Sequence, residues 1–358
     1  MLARWIRYLL WRPFELGCRK YPLLPLRAVV TQPVDGVTCI RINNAITRFL
    51  SRFGGGFDYA VSYWVDDTLL VDTGFPWARR CLRQMLIELG ADKKLRHVVN
   101  THYHEDHTGN NDLLVELTGA EILAHPLAVP EIRFPPSLPW YRHFLFGPVP
   151  SVEVRPIGER LHTSQFEFEV HHLPGHCPGH ICLFEPRRRW LFSGDLYIAP
   201  DLDSQLSDAN GPEWIESLNK AIALAPTCLF DAHGVVLLSV NEVMELLVRK
   251  RDFLCDLQRR VLAVAQKASS IREITRRVFN RQDLVDRFSF SDGWLSLLTG
   301  SDFSRGNLVK SFLREASIKN AERWQKDLSA VVSLPPGVSP IAGDTGKNYH
   351  EKRPTAAR

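Results

Sequence analysis

From about residue 36 to residue 237 apolar and polar positions switch repeatedly between a period of two and a period near 3.6, the signature of alternating strands and helices. Ala60 to Val65 and Thr68 to Val71 read as two short strands joined at Asp66-Asp67, a hairpin-type turn pair. Residues 78 to 89 place Leu82, Met85, Leu86 and Leu89 on one helical face, with Gly90 at the C-terminal cap. A strand follows at His97 to Asn100, another at Phe166 to Leu173, a third at Trp190 to Phe192, then a helix over Pro212 to Leu224 and a strand over Cys228 to Phe230. After several of these strands comes a loop bearing a histidine or an aspartate, and in layered α/β folds that sheet edge is where sites assemble.

From about residue 238 the strand pattern stops and helical spacing takes over: Val243 to Gln266, Ile271 to Asn280 and Ser304 to Glu315. Asp286 to Thr299 has no clear period, and the last residues are rich in proline, glycine and charge, the composition of a disordered tail. Four segments are expected: 1–35 as a basic amphipathic arm, 36–237 as the catalytic domain, 238–328 as a helical C-terminal region and 329–358 as the tail.

With 45% hydrophobic and 23% charged residues in 358, the chain has the means to bury a core, which excludes global disorder. A net charge of +4 is too small for a general nucleic-acid binder. The surplus is local, because residues 1–27 hold Arg4, Arg7, Arg12, Arg19, Lys20 and Arg27 against Glu15. Six minus one is +5 there, leaving about −1 for the rest by the same formal count. Leu2, Trp5, Ile6 and Leu9 share one helical face in that arm, which predicts either packing on the body or docking on an anionic membrane surface. Arginines interrupt the arm before an apolar run long enough to cross a bilayer forms. The seven cysteines are scattered with no C-x-x-C pair, pointing to a reducing compartment, the cytoplasm, with peripheral membrane attachment through the arm as an option.

His102, His104, Asp106 and His107 form H-x-H-x-D-H directly after a predicted strand. Imidazole and carboxylate are zinc-type ligands, and four of them within six positions are hard to explain as packing. Asp72 in LLVDTG, His176 in LPGHCPGH, Asp195 in LFSGDLY and His233 in FDAHG complete an ordered set.

On these motifs, across roughly residues 36 to 237, the sequence resembles the metallo-β-lactamase-fold superfamily, which includes glyoxalase II-like thioesterases, lactonases and some nucleases and phosphodiesterases. The resemblance implies an α/β four-layer αβ/βα sandwich, here with an α-helical C-terminal region, and two divalent metal ions, zinc first, with iron or manganese as alternatives. It implies that His102, His104 and His176 bind one ion, that Asp106, His107 and His233 bind the other, and that Asp195 bridges them. Asp106 and Asp195 would also serve catalysis, while Asp72 would hold the histidine-rich loop by hydrogen bonds rather than as a ligand. His180 falls outside the implied ligand set, Glu105 is expected to face solvent or the pocket rim, and Tyr197 is a candidate hydrogen-bond donor to a substrate oxyanion.

Two cations a few Å apart can share a water and hold it as hydroxide for attack on a carbonyl or phosphorus. The expected activity is therefore hydrolysis of an ester, thioester or lactone carbonyl on a small acyl substrate, with no nucleic-acid partner. Phosphodiester cleavage on the same site is the alternative, followed by a non-hydrolytic binding or redox protein on the same fold. The apolar insertion from Pro126 to Pro150 would either shape the pocket or cover the sheet as a surface loop. The basic groups Arg249-Lys250-Arg251, Arg259-Arg260 and Arg276-Arg277 read as solvated helix faces or as contacts to coenzyme A phosphates or RNA.

Overall fold

The structure, a computed structural model, describes residues 26–51, 59–268, 270–279 and 299–314. The readings of the arm over residues 1–25, of most of the stretch 286–299 and of the tail lie outside the described residues. One sheet has seven strands in chain order, β1 (Arg27–Val34), β2 (Val37–Asn43), β3 (Ala60–Val65), β4 (Leu69–Val71), β5 (His97–Val99), β6 (Glu121–Ala124) and β7 (Arg155–Pro156). The second has six, β8 (Arg160–His162), β9 (Glu167–His172), β10 (Ile181–Glu185), β11 (Trp190–Gly194), β12 (Cys228–Asp231) and β13 (Val236–Leu237). In the first sheet β4 to β7 run parallel, and in the second β11 and β12 do. The strand set begins at Arg27, inside the segment assigned to the arm, because RAVVTQPV finds a full antiparallel partner in β2.

Period-two alternation builds the layers. Ile40, Ile42, Trp64, Leu70 and Val98 point to one side of the first sheet, into a core with the helix Arg79–Glu88. Their neighbours Cys39, Val61, Tyr63, Val65, Leu69, Val71 and Val99 point to the other side, against Phe168, Ile181, Phe192 and Phe230 of the second sheet. A third core joins the outer face of the second sheet to the C-terminal helices. Three cores separate four layers, helix, sheet, sheet and helix, which is the expected sandwich. Asp66 and Asp67 both adopt positive φ, 48° and 59°, as the tight turn between β3 and β4 requires.

The helices, in chain order, are α1 (Ala45–Ser51), α2 (Arg79–Glu88), α3 (Glu105–Thr108), α4 (Asn111–Thr118), α5 (Val129–Arg133), α6 (Trp140–Phe146), α7 (Gly211–Ala223), α8 (Val240–Ala265) and α9 (Ile271–Val278), with residues 305–314 also helical. In α8 the buried positions Val243, Leu247, Lys250, Leu254, Leu257 and Val261 recur every three or four residues and face α7 and the sheet. Lys250 departs from the basic group assigned to it: its chain is fully buried, and Nζ donates to the Ala199 carbonyl at 2.7 Å and lies 4.9 Å from the Trp214 ring. Arg251, Arg259, Arg260 and Arg277 pair with acidic residues of their own helices. Among the described residues the six cysteines are free thiols, and no helix is long and apolar enough to cross a membrane.

Candidate metal centre

The site assembles at one edge of the sandwich, from loops that leave both sheets. Thr101 to His107 follow β5, Asp72 follows β4, His176 lies between β9 and β10, Asp195 follows β11 and His233 follows β12. Gly175, at φ +128°, lets the chain pass Trp214, whose Cα lies 2.2 Å from where a Cβ would stand. Gly194, at φ +49°, does the same beside His180 and Thr101.

His102 Nε2 lies 3.0 Å from His104 Nδ1, and His176 Nε2 lies 2.9 Å from the same atom. Three imidazole nitrogens so close, with their side chains buried, form a group suited to one cation. The nitrogen that faces inward is set by the partner of the other. His104 Nε2 is 2.9 Å from Asp208 Oδ2, so Nε2–H donates to the carboxylate and Nδ1 presents its lone pair. Burial, reinforced by the neighbouring imidazoles, pushes the pKa of His102 well below the usual histidine range. Burial does the same to His176, with the Asp195 carboxylate opposing it.

The second group is Asp106, His107 and His233, with His107 Nε2 at 3.6 Å from Asp106 Oδ1 and His233 Nε2 at 3.9 Å from Asp106 Oδ2. His107 Nδ1–H donates to Asp72 Oδ2 at 2.9 Å, and His233 Nδ1–H to the Tyr59 carbonyl at 2.8 Å, so both turn Nε2 inward. Asp72 also accepts from the Thr101 amide and hydroxyl, each at 2.8 Å, which ties the β4 end to the histidine-rich loop. Burial opposes a proton on His107, but Asp195, Asp106 and Asp72 outweigh it and hold the pKa well above the ordinary value. Burial likewise opposes a proton on His233, and the carboxylates, led by Asp195, raise it to about 9.

Asp195 stands between the groups. Its Oδ1 is 3.3 Å from His107 Nε2 and 3.1 Å from His233 Nε2, while its Oδ2 is 3.3 Å from His176 Nε2 and 3.9 Å from His102 Nε2. Burial alone would raise its pKa, yet His233, His107 and His176 take it well below the carboxylate range. Buried Asp195 Oδ1 and His107 Nε2 have no hydrogen-bond partner among the described residues, so the donor set fits cations that would satisfy them.

His180 joins neither group. Its Nδ1–H donates to the Leu173 carbonyl at 3.0 Å, and its Nε2 accepts the Asp195 amide at 3.0 Å. Burial drives its pKa down to about 4, which keeps that acceptor nitrogen unprotonated. Glu105, expected at the solvent or the pocket rim, is instead only 3% exposed and forms a two-pronged ion pair with Arg142 of α6, Nε to Oε1 at 2.7 Å. The insertion thus reaches the metal loop through a charged residue, while Phe134, Trp140 and Phe144 are exposed. Tyr197 is buried in the core shared with Trp214 and α8. Asp208, which also accepts a hydrogen bond from the Tyr103 hydroxyl, escaped the sequence reading: it lies in no motif, and only the fold brings it to His104.

Residues 55–229 match the family model described as the metallo-beta-lactamase superfamily. The hydroxyacylglutathione hydrolase of Rhodospirillum rubrum is 30% identical over 146 residues, 39% of this chain and 48% of that protein. The atrochrysone carboxyl ACP thioesterase of Aspergillus fumigatus is 25% identical over 236 residues, 62% of this chain and 68% of that protein. Several curated relatives are matched over only about half of their length. A metallo-beta-lactamase family protein of Thermus thermophilus shares the fold, with a TM-score of 0.51 and 18% identity over 85% of this chain and 93% of that one. The chain therefore contains a metallo-beta-lactamase superfamily domain, matched over residues 55–229.

Proposed function

We propose that this chain is a metal-dependent hydrolase of small acyl thioesters or esters, lactones included, with one divalent cation held by His102, His104 and His176 and a second by Asp106, His107 and His233. The observation that carries the reading is the position of Asp195, whose carboxylate lies within 3.3 Å of imidazole nitrogens of both groups. Bound there, two cations would supply Lewis acidity and a water acidified toward neutral pH. Zinc suits the nitrogen-rich first group, and iron or manganese would also suit the mixed second one.

The protein's own part is orientation and charge. Asp208, Asp72 and the Tyr59 carbonyl hold three imidazoles in the ligand tautomer, so little reorganisation remains when substrate arrives. Asp106, whose side chain is 14% exposed against 3% for Asp195, is the more solvent-accessible of the two carboxylates. It would orient the attacking water by accepting its hydrogen bond. A thioester is favoured because relatives of this chain are named hydroxyacylglutathione hydrolase, ACP thioesterase and acyl-coenzyme A thioesterase.

The test is a hydrolysis screen of the full chain loaded with zinc, iron or manganese, against glutathione and coenzyme A thioesters, a lactone, a β-lactam and bis-nitrophenyl phosphate. Thioester turnover above phosphodiester turnover is expected. Less than one equivalent of bound metal, not restored by added metal, would overturn the hydrolase reading, and dominant phosphodiester turnover would overturn the substrate class.

A further inference from the structure

Four of the five imidazoles in the two groups have their outward nitrogen within hydrogen-bonding distance of a partner: Thr101 Oγ1 at 3.1 Å for His102, Asp208 for His104, Asp72 for His107 and the Tyr59 carbonyl for His233. His176 differs. Its Nε2 faces His104 and Asp195, while its Nδ1 is buried with no hydrogen-bond partner among the described residues. A hydrogen bond to the outward nitrogen normally fixes the ring of a ligand imidazole, so here packing has to do that work.

The packing is specific. Asn210 caps α7, and Asn210, Trp214 and Ser217 recur at i, i+4 and i+7, which places them on one stripe of the helix. All three meet the loop that carries His176. The Ser217 hydroxyl donates to the Pro174 carbonyl at 2.6 Å, and the Asn210 amide donates to the Gly175 carbonyl at 2.7 Å. The fully buried Trp214 ring meets the His176 ring in a T-shaped contact, with centroids 5.6 Å apart and planes at 72°.

The same indole reaches the neighbouring loop. Its Nε1–H donates at 2.7 Å to the carbonyl of Leu196, the residue directly after Asp195. One rigid side chain therefore touches both loops whose donor atoms, His176 Nε2 and Asp195 Oδ2, stand 3.3 Å apart.

We propose that Trp214, aided by Ser217 one turn further along α7, is the positioning residue of His176. It sets the plane of that imidazole, the task a hydrogen-bond partner performs behind the other four, and holds it in register with Asp195. An edge-to-face ring contact fixes an orientation without adding charge or a competing acceptor, so the first group stays free of carboxylate at this corner. The inference rests on the metal reading of the site.

The experiment is titration of the full chain with zinc and with cobalt, read by competition with a chromogenic chelator and by the cobalt absorption spectrum. The parent should bind two equivalents. Trp214→Phe keeps a ring but loses Nε1–H and part of the contact; it should also bind two, with altered cobalt bands. The binding step weakened by Asp208→Asn should weaken about tenfold, and the step weakened by Asp72→Asn should not change. In a His176→Asp background, which keeps a ligand but no ring, Trp214→Phe should cost nothing further. Ser217→Ala removes one hydroxyl and no ring, and it should weaken the same step a few-fold, a loss that should also vanish in that background. Where Trp214→Phe does not fold, Ser217→Ala decides alone. Parental affinity in these variants would overturn the proposal, as would a loss that persists without the imidazole, since helix and ring would then serve only general packing. A parent that binds no metal would overturn the metal reading and this inference together, whereas a parent with two ions and variants that match it would overturn this inference alone.

Discussion

The two halves of the metal centre are built on different electrostatic plans. The group of His102, His104 and His176 is all imidazole, and burial keeps protons off His102 and His176. In the group of Asp106, His107 and His233 the carboxylates of Asp195, Asp106 and Asp72 draw protons onto the two histidines, which offset part of their negative charge. Each half has its own carboxylate brace, Asp208 for His104 and Asp72 for His107, and they share Asp195. The first group therefore offers a cation unprotonated nitrogens at His102 and His176, whereas His107 and His233 must give up protons before they can bind one.

Substitutions test whether the two halves act separately. The largest effect belongs to Asp195→Ala, which should release both metals and take hydrolysis to background, read by metal analysis and initial rates; loss of one ion only would dissolve the shared role. Asp208→Asn and Asp72→Asn should each weaken metal binding about 10- to 100-fold, as loss of a carboxylate behind a ligand imidazole does. Metal titration should show the former acting on the first group and the latter on the second. Identical titrations would mean that the halves are not separable. His180→Ala removes an acceptor for the Asp195 amide but no ligand, so two equivalents should still bind, with a few-fold loss of kcat.

Smallest is the effect of Lys250, one ring away from the first group, since Trp214 lies between it and His176 with ring centroids 5.6 Å apart on the histidine side. Burial depresses the Lys250 pKa to about 7 from the ordinary lysine value of 10.5. Between those values the unfolded chain binds a proton that the folded chain does not, so stability rises with pH across that window. Lys250→Met should flatten this rise, as measured by urea unfolding at its two ends, without changing metal stoichiometry.

Much of the architecture could be read along the chain because it is local. The β3–β4 hairpin follows from Asp66-Asp67, and α8 from its three-to-four-residue apolar spacing. The ligand-type residues cluster in short motifs at strand ends, so they too stand out in the sequence. What escaped is what only tertiary contact creates. Asp208 sits among Asp201 and Asp203 with nothing local to distinguish it, and its partners are Tyr103 and His104, about a hundred positions earlier. Glu105 looked like a solvent residue because its partner Arg142 is hidden in a run of aromatics. The insertion read as proline-rich loop, yet between its prolines it forms α5 and α6, helices too short to announce themselves by periodicity.

His102, His104, Asp106 and His107 come from a loop of the seven-stranded sheet, and His176, Asp195 and His233 from loops of the six-stranded one. Each proposed ion would therefore act as a rivet at the rim of the seam between two sheets whose shared core is otherwise packed with apolar side chains. Metal supply then becomes a mechanical variable. At a free concentration 100 times the dissociation constant, one such ion adds about 2.7 kcal/mol to the folded state, and a chelator should loosen the sandwich along that seam first.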